Sequence, residues 1–243
     1  MRNYDEEFQD NEIRRYAYDF DSIVRSYMMR TLSPFFSKGK GLEIGCFEGA
    51  STALFADHFD DLTVLEASDE LISVARSNVR DSVRFIHGTI ETAAIEAVYD
   101  SIFLVHTLEH LDSPVESLAR ISSWLSPNGR LFVVVPNAQA ASRQIAVRMG
   151  LIETNNSVTA GERIHGHRCT YSMDTLENDL RSAGLKIEFR GGVLFKPFAN
   201  FQFDLMLKHE VIDEKYLDGC YALGMQYPEL SASIYGICSR DAS

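Results

Sequence analysis

Apolar residues in the first forty positions recur at helical spacing, at Ile13, Tyr16, Phe20, Ile23, Val24, Tyr27 and Met28, which predicts one or two helices ahead of the main body. A different rhythm follows. Short apolar runs at 41–45, 62–67, 83–87, 100–106 and 130–136 read as strands. Between them, 50–59, 69–79 and 114–125 read as helices, with a short helical piece near 91–97. Ser113 followed by Pro114 and Glu116 is a helix start: serine can cap free N–H groups, proline fits the first helical position and glutamate opposes the dipole.

Strands that alternate with helices predict a parallel sheet with right-handed crossovers and helices on both faces, and ligands then bind at the strand C-termini. The pattern weakens into a polar stretch over 137–171, read as an insertion covering that edge. A helix at 173–183 ended by Gly184, a strand from 185 running on toward Phe195, a helical stretch near 203–223 and a strand at 233–238 complete the chain. The expected fold class is α/β, with a Rossmann-like, seven-stranded, mostly parallel sheet. Residues 1–243 form one domain: a helical cap over 1–38, a core over 39–136, a lid over 137–172 and a sheet completion with the acceptor side over 173–243. Tyr4, Phe8, Tyr16, Tyr18 and Phe20 either form an N-terminal lid or rest on the sheet.

Composition narrows the partners. Asp and Glu number 35 against 23 Lys and Arg, a net charge of −12, so the average field repels phosphate backbones and anionic membranes. No basic stripe or aromatic stacking module supports nucleic acid. Cys46, Cys169, Cys220 and Cys238 form no C-x-x-C pair, which leaves a reducing, cytoplasmic setting as the default. The acidic start has no apolar core and no run is long enough to span a membrane. The oligomeric state stays open, a homodimer included.

The most informative segment is Glu43-Ile44-Gly45-Cys46-Phe47-Glu48-Gly49, a glycine turn between the first core strand and its helix. Glycines there let the backbone approach a ligand. A dinucleotide fold would carry G-x-G-x-x-G to set a pyrophosphate on the helix N-terminus. Here Glu43 replaces the first glycine and the spacing is longer, which suits a ligand with an ammonium group and no phosphate. The second strand ends at Glu66, about 20 residues further on, where an acid can accept from both ribose hydroxyls. Together they point to an adenosine ligand.

With Gly88-Thr89-Ile90-Glu91 and His106-Thr107-Leu108-Glu109-His110 following in order, the chain resembles the class I S-adenosylmethionine-dependent methyltransferases over about residues 40–136. The signature is E-x-G-C-x-x-G, an acid, G-x-x-E, then H-x-L-E-H. The resemblance implies S-adenosylmethionine as cofactor, with Gly45 and Gly49 beside its methionine portion, Glu43 at the turn and the amino group, and Glu66 on the ribose. It puts Thr89 and Ile90 at the adenine and His106 and Thr107 beneath the cofactor, with Cys46, Ala67 and Gly88 in the same set. Short of the resemblance, Gly45 and Gly49 merely shape a turn and Glu66 caps a helix.

His106-Thr107-Leu108-Glu109-His110 also fits a zinc-peptidase pattern, H-x-x-E-H. That reading needs both histidines on one helix face and a third ligand. His106 instead ends an apolar strand, so no metal is expected and Glu109 and His110 read as structural.

Methyl transfer from a sulfonium chiefly requires alignment and, for a hydroxyl acceptor, removal of a proton. His165 and His167 are the first base candidates and His106 the third, although the first two read equally as lid anchors. Asn137 and Tyr171 lie in the same insertion as candidate acceptor contacts. Arg143, Arg168 and Lys196 either converge on an anionic acceptor or balance nearby acids. Phe195, Phe198, Phe201 and Phe203 either wall a pocket or serve a core or interface. The expected activity is methylation of an oxygen or nitrogen on a small polar acceptor, phosphorylated or sugar-linked metabolites included, as in surface-polysaccharide or secondary-metabolite synthesis. The alternatives are a non-catalytic binding module and a nicotinamide-dependent oxidoreductase, the latter disfavoured by the missing phosphate glycines.

Overall fold

The computed structural model describes residues 18–241, so Tyr4, Phe8, Ile13 and Tyr16 lie outside the described residues. The seven strands are β1 (Lys40–Ile44), β2 (Asp61–Glu66), β3 (Arg84–His87), β4 (Tyr99–Val105), β5 (Leu125–Pro136), β6 (Leu185–Phe195) and β7 (Ser231–Arg240). They form one sheet in the order β3-β2-β1-β4-β5-β7-β6. The first five run parallel, and β7 inserts antiparallel to both β5 and β6. Strand order reverses at β1 and β4, the switch point at which α/β sheets bind ligands.

Helices cover both faces. They are α1 (Phe20–Leu32), α2 (Ala50–Ala56), α3 (Asp69–Asn78), α4 (Pro114–Ser122), α5 (Ala141–Arg148), α6 (Ala160–Ile164), α7 (Met173–Ser182), α8 (Asn200–Lys208) and α9 (Glu214–Gln226). Successive residues of a strand alternate between two cores. Leu42, Ile102, Leu104, Leu131 and Val133 join Leu118 and Leu176 on one face. Val64, Phe103, Phe132 and Val134 join Phe20, Phe55 and Phe203 on the other. Leu131 to Val135 are wholly buried, as a strand covered on both sides must be. Two ring stacks tie helices in place: Phe55 on Phe103 at 4.1 Å and Phe20 on Phe203 at 4.0 Å between centroids. The Phe20 N–H also donates to Asp204 Oδ1 at 2.8 Å, so α8 holds α1 over the sheet edge.

Several expectations are corrected. Residues 91–97 form a turn and irregular chain, because helical bonding stops after Ala93 donates to Thr89 O and Arg120 Nη2 takes the Ala93 carbonyl. The stretch 203–223 is two helices, broken where Glu210 takes φ +54° and Asp213 accepts from Tyr216 N to start α9. Ser113 precedes α4 without a side-chain cap, leaving Pro114 as the start signal. The polar insertion contains α5 and α6, and its two ends are stitched by the Asn137 to Tyr171 bridge.

Candidate active site

A cavity of about 780 Å³ opens over the C-terminal ends of the parallel strands, large enough for a nucleoside-sized ligand and a small acceptor together. Its floor is the turn after β1. Gly45 takes φ +76°, and a Cβ there would lie 2.7 Å from Thr107 Oγ1. Thr107 in turn donates to the Ile44 carbonyl at 3.1 Å, so two strand ends are pulled together only if position 45 has no side chain. Gly49, at φ +87°, does not line the cavity. It starts α2 and lets that helix approach Ala75 of α3, where a Cβ would meet the Ala75 Cβ at 3.1 Å.

Glu43 and Glu66 flank this floor. Glu43 is buried and accepts from Thr52 Oγ1 at 2.5 Å. Burial, with Glu66 nearby, raises its pKa to about 8. An ammonium placed before it would favour the ionised form. Glu66, at the end of β2, accepts from the backbone N–H groups of Cys46 at 3.0 Å, Ala67 at 2.8 Å and Ser68 at 3.0 Å. One carboxylate therefore fixes two ligand-facing turns while still lining the cavity. Ala67, Gly88, Thr89, Ile90 and Cys46 line the same wall, with Ile90 rooted in the core. Burial pushes the Cys46 thiol far up, so it acts as an apolar wall.

The opposite wall comes from the β4 end, the lid and α1. His106, at φ +49°, shares a 3.0 Å hydrogen bond with Ser233 Oγ. Burial, first of all, lowers its pKa to about 3, so it stays neutral and is a feeble base. His165 and His167 both line the cavity, and burial depresses the His167 pKa as well. Lys196, just past β6, lines it too and donates to Asn200 Oδ1 at 2.8 Å, while Asn200 donates to Asp21 at 2.7 Å. Burial lowers the Lys196 pKa and raises that of Asp21.

The other expected acceptor contacts are placed elsewhere and do not line this cavity. Arg143 is used up inside the lid, on Glu162 at 2.5 Å, on the Asn155 carbonyl at 2.6 Å and on the Ser157 carbonyl. Arg168 clamps the lid to the loop after β4, through Asp112 at 2.7 Å and the His110 carbonyl at 3.0 Å. Tyr171 is buried and its hydroxyl meets Asp179 at 3.1 Å. Asn137 donates to the Glu229 and Ser231 carbonyls at 2.8 Å each. The three cations thus do not converge: Arg143 balances partners within the lid, Arg168 pairs with the loop after β4, and only Lys196 faces the cavity.

Sequence reasoning missed the contribution of α1. Asp21, Val24, Arg25 and Met28 line the cavity, and their spacing of three and four residues is the signal that was available. It also missed Ser233, which reaches the site because β7 runs antiparallel and starts at the ligand edge. Among the aromatics, Phe203 is core, whereas Phe201 is exposed.

A family model described as a methyltransferase domain matches residues 14–188. The chain belongs to the methyltransferase-domain family. A ubiquinone biosynthesis O-methyltransferase of Xanthomonas axonopodis is 27% identical over 179 residues, covering 72% of this chain and 73% of the relative. A malonyl-[acyl-carrier protein] O-methyltransferase of Halalkalibacterium halodurans is 36% identical over 204 residues, covering 72% and 74%. Among solved structures, the N-methyltransferase NodS of Bradyrhizobium japonicum, in complex with S-adenosyl-L-homocysteine, aligns with a TM-score of 0.59 at 16% identity over 99% of this chain and 98% of that one. A methyltransferase of Thermotoga maritima aligns with a TM-score of 0.65 at 15% identity over 98% and 100%. These two share its fold. The protein is a class I S-adenosylmethionine-dependent methyltransferase. Its residues fit that cofactor: a side-chain-free turn at Gly45, a buried acid at Glu43 for an ammonium, and an acid at the β2 end for a ribose. The cofactor supplies an electrophilic methyl group on a sulfonium.

Proposed function

We propose that this methyltransferase transfers its methyl group to an oxygen of a small acceptor that also carries a polar or anionic group. The observation that carries the reading is the pairing, across one cavity, of the lid histidines His165 and His167 with Lys196 and its Asn200 and Asp21 partners. A hydroxyl must lose its proton as the methyl arrives, and a neutral imidazole on the acceptor wall can take it. Lys196, whose charge burial disfavours, is stabilised as a cation by an acceptor carboxylate or phosphate beside it. The two named relatives described above are O-methyltransferases, which supports oxygen over nitrogen. Within the site, Glu43, Gly45, Cys46, Glu66, Ala67, Gly88, Thr89, Ile90 and Thr107 hold the cofactor, and closure of the cavity by the lid excludes water.

The test is formation of S-adenosylhomocysteine over a panel of phenols, hydroxy acids, sugar phosphates and amines. Turnover is expected on a hydroxyl acceptor with an anionic group. His165→Asn or His167→Asn should lower kcat on it by about 100-fold while cofactor affinity changes little. Turnover confined to amines, with both variants fully active, would contradict the reading.

A further inference from the structure

Glu109 lies in the 3₁₀ turn Leu108–His110 directly after β4, is 1% exposed, and both of its carboxylate oxygens lack any hydrogen-bond partner. A buried orphan acid is costly unless something compensates it. Its Oε1 stands 4.0 Å from His110 Nε2 and 4.0 Å from His167 Nε2. One donor atom from each of the three residues lies within 4.8 Å of the others. The two rings meet edge to face, with centroids 4.7 Å apart at 79°.

This grouping is built, because the lid is pinned so as to present His167. The Arg168 N–H donates to the Glu109 carbonyl at 2.9 Å, next to the Arg168 contacts with His110 O and Asp112. Gly166, at φ +83°, gives the His110 ring its room, since a Cβ there would come within 3.3 Å of Nδ1. A second, small void of about 10 Å³ is lined by Glu109 and His167, beside the main cavity that all three residues also line.

We propose that Glu109, His110 and His167 bind one divalent transition-metal ion of the zinc type, with its open coordination position facing the cavity. Two imidazoles and a carboxylate are a borderline donor set that suits such an ion better than magnesium or calcium, which favour oxygen ligands throughout. A tetrahedral centre with bonds of about 2.1 Å holds its ligand atoms roughly 3.4 Å apart. Shifts of up to about 0.7 Å in side-chain ends would bring these donors onto one ion. His106, the first histidine of the sequence motif, is no ligand, because its Nε2 is engaged by Ser233. The third ligand comes instead from the lid, far along the chain.

The functional part of the inference rests on the O-methylation reading. An acceptor hydroxyl in the open position would be a fourth ligand, and its acidity would rise as that of metal-bound water does. Its proton would pass to His165 on the same wall, its oxygen would form the new O–CH3 bond with the electron pair so freed, and the S–CH3 bond of S-adenosylmethionine would break with S-adenosylhomocysteine as the leaving group. Phenols and enols are the acceptor class this favours. His167 then holds the ion, and His165 remains as the proton acceptor.

The experiment titrates Co²⁺ into chelator-treated full-length protein, followed by visible ligand-field absorption and calorimetry, with S-adenosylhomocysteine titrated separately into the same preparation. One equivalent of Co²⁺ with a four- or five-coordinate spectrum is expected. Glu109→Gln, close to isosteric, and His167→Asn should each weaken Co²⁺ binding about 100-fold or more, since even outer-shell changes cost 10–100-fold. Near-UV circular dichroism checks that both variants fold. Absence of stoichiometric binding, or unchanged binding in both folded variants, overturns the site whatever the cofactor result. Loss of S-adenosylhomocysteine binding with the Co²⁺ site intact would leave the metal site standing and remove the methyl-transfer role assigned to it.

Discussion

Glu43 is at once buried near the end of β1 and part of the cavity wall. Its pKa of about 8 arises chiefly from burial, with Thr52 opposing the shift and Glu66 adding to it. The folded carboxyl therefore keeps a proton that the unfolded chain has already released at neutral pH. Without cofactor, stability should fall as pH rises from the ordinary glutamate range to about 8, by at most about 1.4 kcal/mol per pH unit for one such group, and then level off. In metal-free protein Glu109, raised to about 8 by burial, adds a second share, while His106, held neutral by burial, works the other way below the ordinary histidine range. Glu43→Gln should thus roughly halve the pH slope in urea unfolding of the metal-free protein between about pH 7 and 8, above the histidine range. An unchanged slope in the variant would contradict the assignment. Glu43, Gly45, Glu66 and Thr107 were legible in the sequence because turn chemistry is local: a positive φ or a strand-end acid leaves its mark within a few residues. Asp21, Arg25 and Ser233 were not, since their place depends on which helix face and which strand direction reach the edge.

At the level of elements, the lid is held by polar contacts more than by a core. Arg143 joins α5 to the capping box of α6 through Glu162 and to two loop carbonyls, all within the segment 141–162. Arg143→Ala leaves those acceptors unsatisfied, which should favour local opening by about 1–3 kcal/mol. Amide exchange over 141–168 should quicken about 10- to 100-fold, with β4 and β5 unchanged and the acceptor KM raised. Equal protection in the lid would show that Arg143 contributes nothing there. The strands were readable because a sheet buried on both faces makes near-continuous apolar runs. The break between α8 and α9 was hidden, because the apolar spacing continues through it and only the Asp213 cap marks the new start. The same limit applies to Arg143 and Arg168: the sequence displays their charges, and only folding shows the partners that use them up.

At the level of the whole molecule, the reversal of strand order at β1 and β4 gathers residues at or just beyond the ends of all seven strands, the lid positions His165, Gly166 and His167, and the first helix around one cavity. The alternation of strands and helices made that architecture legible, and the antiparallel insertion of β7 follows from the hairpin-like return after β6 and α9. Among the described residues no helix is long and apolar enough to cross a membrane. Two cations, Arg25 and Lys196, line a cavity whose wall also carries the acids Asp21, Glu43, Glu66, Glu91 and Glu109. The central claim is that this cavity holds S-adenosylmethionine, and calorimetric titration with S-adenosylhomocysteine beside NAD tests it most directly. One equivalent of S-adenosylhomocysteine binding at about micromolar Kd, near −8 kcal/mol, with no heat from NAD, is the expected result. NAD binding with none for S-adenosylhomocysteine would contradict the account.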